Sequence, residues 1–154
     1  RLLYFNAAGT GLILEGDTNG QDATGTVTND TDWHHYVVTL SGNSGGSTAT
    51  MAFYEDGSAV SHVMGNLGSS AAGFTVKSLG YHNTNDNTGG FNGLLYQVAI
   101  YSDVVSSAIE GLTSAGGLIH LWKFDEGTGT TAGDSIGSLD AAFNGDAAFS
   151  STTP

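Results

Sequence analysis

Asp32-Trp33-His34-His35-Tyr36-Val37-Val38-Thr39-Leu40, followed downstream by Phe53-Tyr54-Glu55-Asp56-Gly57, is the stretch on which the fold turns. An aromatic and β-branched run suits a half-buried pleated surface and predicts a strand over Trp33–Leu40. Asp56-Gly57 lies between two further runs, Thr50–Glu55 and Ala59–Val63. A two-residue type I′ turn needs positive φ at both central positions, which Asp-Gly tolerates, so the pair predicts a hairpin. The same pattern continues outward on both sides, with predicted strands at Leu2–Phe5, Gly11–Glu15, Thr24–Thr28, Phe74–Leu79, Leu94–Tyr101, Leu118–Phe124 and Leu139–Phe143. Glycine contributes 24 residues and proline only Pro154, and Ser, Thr, Asn and Asp fill the spaces between the apolar runs. Short strands separated at this spacing by turn residues predict an all-β sandwich or barrel. In Leu94–Tyr101 the even positions Leu94, Tyr96, Val98 and Ile100 are apolar, which places Val98 and Ile100 in the core. Only Val105–Leu112, with Ser106 and Ser107 as capping residues, reads as a helical turn, too short to persist without docking.

The 154 residues suffice for one domain burying roughly 70% of the surface its unfolded chain exposes. Fifteen acids oppose three cations, Arg1, Lys77 and Lys123, giving a formal charge of −12. Phosphate backbones are held by clustered Lys and Arg, so nucleic acid is excluded as a partner. Such acidity suits a salty or calcium-containing exterior, where repulsion keeps the protein dispersed and salt screens it. No cysteine is present, which removes disulfides, thiolate catalysis and cysteine zinc sites together. No apolar run approaches the ~18 residues of a membrane span, so no membrane insertion is expected. No basic-plus-apolar signal segment opens the chain, which begins at Arg1 rather than at a methionine.

The ordered motifs carry a family resemblance. Trp33-His34-His35-Tyr36-Val37-Val38-Thr39 resembles the tryptophan-histidine-histidine strand of the laminin-G-like, concanavalin A-like jelly rolls of bacterial or viral type. Tyr54-Glu55-Asp56-Gly57 resembles their tyrosine-x-aspartate-glycine hairpin. Leu79-Gly80 followed by Phe91-Asn92-Gly93 resembles the strand and turn before the last long strand, and Val104-Val105-Ser106 with Ile109-Glu110-Gly111-Leu112 is similar to the short helix after it. The set spans roughly residues 24–117 in family order. It implies an all-β, concanavalin A-like (laminin-G-like) β-sandwich jelly roll with one short helix. Where the family commonly carries an acidic pair, this chain has Tyr96-Gln97, so no role tied to that pair transfers.

A fourth segment is displaced. Leu121-Trp122-Lys123-Phe124-Asp125-Glu126-Gly127-Thr128-Gly129-Thr130, then Asp134-Ser135-Ile136-Gly137 and Phe143-Asn144-Gly145, looks like the opening of such a domain, yet comes last. The expected organisation is a laminin-G-like core over 1–117, with 118–154 closing the same sheet in a permuted order. The alternatives are that 118–154 belongs to a neighbouring repeat of a tandem array or completes the sheet of a neighbouring subunit through its edge.

The residues bear on three chemistries. Retaining glycosidases need two carboxylates about 5 Å apart, which on a strand means acids at alternating positions, and no predicted strand offers that pattern. Glu15 and Asp17 stand two apart but enter a turn. No glycine-x-serine-x-glycine elbow is present. His34 and His35 point to opposite faces of a strand and so would not share a metal; one is expected to pack under Trp33 and the other to make a surface or inter-sheet hydrogen bond. Calcium is the ion the loops would suit, through Asp17, Asn19 and Asp22 or through Glu126 and Asp134. For glycan recognition, a ring stacks on a sugar face while amides and acids take its hydroxyls, and Tyr81, His82, Asn83, Asn85 and Asp86 form the best such group. The reading is a non-catalytic recognition or adhesion module that is extracellular or on a cell or virion surface, binding a glycan or a surface protein. The alternative is a structural decoration or fibre subunit of a virus or surface array, assembling through sheet edges; a glycoside hydrolase is remote.

Overall fold

The computed structural model describes residues 3–6, 9–14, 23–41, 50–63, 91, 93–103 and 117–154. The chain divides into two compact units, Arg1–Phe91 with Ser106–Glu110, and Asn92–Val105 with Gly111–Pro154.

The first unit carries two antiparallel sheets. β1 (Leu3–Phe5), β2 (Gly11–Leu14) and β3 (Ala23–Thr26) follow in order and β7 (His62–Val63) flanks β3; β4 (Tyr36–Ser41), β5 (Thr50–Glu55) and β6 (Ser58–Ala59) form the other sheet. Period-two alternation decides what each strand buries. Along the β4–β5 ladder, Val38 faces Phe53 and Leu40 faces Met51. These side chains meet Leu12, Leu14, Ala23 and Val27 in one apolar core, with Phe5, Tyr36 and Val60 packed against it. Phe53, only 1% exposed, lies directly over Gly25, where an added Cβ would stand 2.7 Å from two ring carbons. The glycine is therefore what lets the sheets approach at this point.

The Asp56-Gly57 turn forms as the pair predicts, with φ of 49° and 77°. Its outgoing arm departs from expectation. Ala59–Val63 is not one strand: Ser58–Ala59 pairs with β5, and His62–Val63 pairs with β3 of the other sheet. Between them the Val60 N–H donates to the Phe53 carbonyl at 3.0 Å, and the Ser61 carbonyl accepts from the Thr26 N–H at 2.9 Å. One short segment thus passes from sheet to sheet, and Val60 covers the core at the crossing. The predicted strand Trp33–Leu40 is also shortened, beginning at Tyr36. Trp33–His35 precede the ladder, and His34 and His35 are held there by hydrogen bonds to aspartate side chains, described below.

In the second unit β8 (Val98–Tyr101) pairs antiparallel with β9 (Leu118–Trp122), with a register shift between Ile100 and Tyr101. The displaced opening segment thus finds a partner strand within the chain. Val98 and Ile100 are half-buried rather than enclosed in a core, since β8 has one partner strand among the described residues; Leu94–Tyr96 lie exposed before the strand begins. β10 (Thr131–Ala132) and β11 (Ala141–Ala142) form a small antiparallel pair, and Leu121, Trp122 and Ala132 are buried. The Trp122 indole N–H donates to the Leu139 carbonyl at 2.8 Å, which satisfies the polar end of a ring otherwise sealed from water. The predicted strand Phe74–Leu79 and the predicted helix Val105–Leu112 lie outside the described residues.

Candidate functional site

Among the described residues of the first unit, the densest polar constellation lies where the loop entering β4 meets the β5–β6 hairpin. His34 bridges two carboxylates: its Nδ1 stands 2.8 Å from Asp56 Oδ2 and its Nε2 3.0 Å from Asp30 Oδ1. A neutral imidazole has one N–H, so donation to both carboxylates requires the imidazolium. The hydrogen bonds to Asp56 and then Asp30 raise the His34 pKa from 6.5 to about 9, against a smaller opposing effect of burial. The carboxylates shift the other way. The His35 N–H donates to Asp56 Oδ1 at 2.8 Å and, with His34, holds the Asp56 carboxyl below its usual range. Asp30 is lowered by the Asp32 N–H and then by His34.

Glu55, opposite Tyr36 in the ladder, closes the cluster. Its oxygens accept from the Thr28 N–H at 3.0 and 3.2 Å, from the Thr28 hydroxyl at 3.0 Å and from the Tyr36 hydroxyl at 3.2 Å. Burial, reinforced by the Glu55 charge, pushes the Tyr36 phenol well above its ordinary value. Three carboxylates therefore surround one imidazolium and tie the end of β3, the loop into β4 and the hairpin into one rigid end of the unit.

The second unit repeats the central contact with other residues. His120 Nδ1 lies 2.6 Å from Asp134 Oδ2, and the N–H of the next residue, Leu121, donates to Asp134 Oδ1 at 3.0 Å. His34 and His35 hold Asp56 in the same arrangement. Asp134 goes further, because its side chain is fully buried and the N–H groups of Ile136, Gly137 and Leu139 also donate to it at 3.2, 2.9 and 3.1 Å. Burial alone would raise its pKa; the bonds from His120, Leu121, Gly137 and Leu139 outweigh that and hold the carboxyl far below its usual range. The loop 134–139 is thus wrapped around an ionised carboxylate. Gly137 is forced by this wrapping, since a Cβ there would stand 2.5 Å from Asp134 Oδ2 and 2.6 Å from His120 Nδ1.

The site residues expected from sequence fare as follows. Tyr81, His82, Asn83, Asn85 and Asp86 lie outside the described residues, as do Asp17, Asn19 and Asp22. Glu126 is exposed and its Oε1 accepts from the Gly133 N–H at 2.7 Å, next to Asp134 in the chain. Five donors already occupy the Asp134 carboxylate, so a cation there would have to displace them. Among the described residues no group of three or more His, Asp or Glu is arranged to hold a metal ion. His34 makes the polar bridge and His35 is exposed, which sorts the histidine pair onto different environments. The sequence reading missed Asp30, Glu55 and His120 as polar partners. Only the spacing of Asp30 four residues before His34 offered a local signal.

The arrangement orients loops and fixes charges. Comparison with known proteins gives one positive result: the family described as the Concanavalin A-like lectin/glucanases superfamily matches residues 1–108. No curated protein and no solved structure matches the chain. With the match covering more than half of the sequence and two packed antiparallel sheets in the first unit, the chain belongs to the concanavalin A-like superfamily as a laminin-G-like β-sandwich domain.

Proposed function

We propose that the protein is a non-catalytic recognition module that binds a glycan or a surface protein outside the cell or on a particle surface. Membership in the superfamily supports a carbohydrate- or protein-binding module in general terms. The observation that carries the non-catalytic part is the occupation of the acids: Asp30, Glu55, Asp56 and Asp134 each accept hydrogen bonds that hold loops in place. A glycosidase instead needs one carboxyl that stays protonated and a second free to attack or to activate water. The shifts of Asp30, Asp56 and Asp134 are all downward, away from a general acid. Loops made rigid in this way can offer side chains to a ligand without an ordering cost at binding. The β8–β9 ladder supports closure of 118–154 within the chain. Calcium is retained as a candidate cofactor through Asp17, Asn19 and Asp22, and Tyr81 with its neighbours as the candidate sugar platform.

The test is retention on an immobilised glycan and surface-protein array, paired with a polysaccharide hydrolysis assay. Binding without release of sugar supports the module, and Tyr81→Ala should weaken glycan retention. Turnover of a polysaccharide would overturn the reading. A calorimetric titration with calcium after chelation should give heat; none would remove the ion.

The second reading, a structural subunit of a virus or surface array, is favoured by Leu94, Leu95, Tyr96, Ile119, Ile136 and Leu139, each 39% exposed or more in the second unit. Such apolar exposure suits assembly. Light scattering after size exclusion separates the two: a monomer retained by an array ligand supports recognition, an oligomer without retention supports assembly.

A further inference from the structure

Asn144-Gly145 stands in the exposed turn that follows β11. Three observations about it converge. No hydrogen bond holds the Asn144 side chain among the described residues, whereas Asn6 is tied to Thr10 by two, at 3.0 and 3.4 Å. Gly145 has φ of 64°, and the space where a Cβ would lie contains no atom within 4 Å. Its N–H makes no backbone hydrogen bond that would tie the nitrogen down. The reacting nitrogen and the side-chain carbon are therefore both accessible, and glycine removes the steric bar to their approach.

We infer that Asn144 is a site of spontaneous deamidation, with water as the only co-reactant. The deprotonated Gly145 nitrogen attacks Asn144 Cγ, the C–N bond to the side-chain amide breaks, and ammonia leaves with a proton taken from solvent. The five-membered succinimide then adds water across one of its two carbonyl carbons, opening to aspartate or to isoaspartate. No electron is transferred. The product carries one further negative charge on a chain already at −12. The isoaspartate form also inserts a methylene into the main chain between Phe143 and Phe149, whose rings pack at 4.8 Å. Conversion thereby loosens the turn that leads out of β11, just beyond the Phe143 N–H that donates to the Thr130 carbonyl at 2.8 Å.

The chain holds its own comparison. Asp56-Gly57 has the sequence that isomerises through the same ring, but there both carboxylate oxygens are gripped, by the His35 N–H and by His34, each at 2.8 Å. An ionised carboxylate is also a poor electrophile, and Asp56 is held below its usual pKa. Gripped Asp56 is protected and ungripped Asn144 is not. The asparagines of Asn19-Gly20 and Asn92-Gly93 lie outside the described residues and form no part of this comparison.

The experiment incubates the full chain in mildly alkaline buffer at physiological temperature, beside a synthetic peptide of residues 141–147. Peptide mapping by mass spectrometry and isoaspartyl methyltransferase labelling follow each position. The Asn144 peptide should convert within about tenfold of the synthetic peptide's rate, a barrier difference of no more than about 1.4 kcal/mol. Asn6 and Asp56 should stay unchanged over the same interval. Gly145→Ala should slow conversion by at least about tenfold, and Asn144→Gln should abolish the signal from that peptide. Slower conversion in the folded chain than the tenfold limit, an unslowed Gly145→Ala protein, or isomerisation of Asp56 at the rate of Asn144 would each overturn the inference.

Discussion

Asp134→Asn is the substitution whose cost the structure specifies most closely. The amide is nearly isosteric with the carboxylate, so it leaves no cavity and isolates the polar contacts. Oδ1 accepts from Leu121, Ile136 and Gly137, and Oδ2 from His120 and Leu139. Keeping the three bonds to Oδ1 places the new NH2 at Oδ2, facing the Leu139 N–H and the His120 ring. The charge-assisted bond to His120 is lost at about 1.5–3 kcal/mol, and an unmatched donor costs about 1–3 kcal/mol. Leu139 is exposed, so its amide can turn to water, which sets the total near the lower sum, about 2.5 kcal/mol. For a chain of this size each kcal/mol lowers Tm by about 2–4 °C, so the expected loss is about 5–10 °C. The assay is thermal unfolding followed by circular dichroism and by tryptophan fluorescence in a Trp33→Phe background, which isolates buried Trp122. The fluorescence should shift to the red, because the loop that accepts its indole N–H is loosened. A Tm loss below about 2 °C, less than 1 kcal/mol, would show that water replaces these bonds freely and would refute the reasoning.

Three further predictions concern the core and the pH dependence of the two histidine grips. Gly25→Ala should destabilise by about 1–3 kcal/mol through overpacking against the Phe53 ring, measured by denaturant midpoint at constant slope, and an unchanged midpoint would show that the sheets can part there. His34 should titrate near 9 by NMR, and its raised pKa means that its stabilising contribution is complete below 6.5 and is lost as the pH rises through about 9; His34→Gln should remove that alkaline limb, and a midpoint near 6.5 would rule out the double bridge. Asp134 acts in the opposite direction: its lowered pKa gives stability that is present above about 4 and fades as the pH falls below it, so Asp134→Asn should flatten acid unfolding, a steep unchanged acid limb being the contrary result.

Local chemistry was legible in the sequence and nonlocal partnership was not. Asp56-Gly57 announces its turn because the need for positive φ is met or refused within two residues. Ala59–Val63 reads as one strand because nothing in its own five residues tells which sheet each half joins; Phe53 and Thr26 decide that from elsewhere in the chain. β10 and β11, two residues each, are too short for any period to be counted. The same limit hides the polar site. His34 lies 22 residues from Asp56, and His120 lies 14 from Asp134, separations at which no spacing rule applies. The tryptophan-histidine-histidine motif pointed to the right neighbourhood, but which histidine holds charge depends on Asp30 and Asp56 arriving together. The family match over residues 1–108 agrees with the motifs quoted from that region, and Trp122 shows its role through its pairing with Val98 and its bond to the Leu139 carbonyl.

The histidine grips at Asp56 and Asp134 share a form that arginine normally supplies. A ring N–H and the following main-chain N–H present two donors to the two oxygens of one carboxylate, as the two arms of a guanidinium do. In a chain with three Lys and Arg residues against fifteen acids, this fork lets a carboxylate be held in two-point fashion with no long cationic side chain to order. Half of the fork is main chain and never loses its proton. Strengthening such a site by importing arginine would add charge and side-chain entropy without adding a second donor that the backbone does not already give.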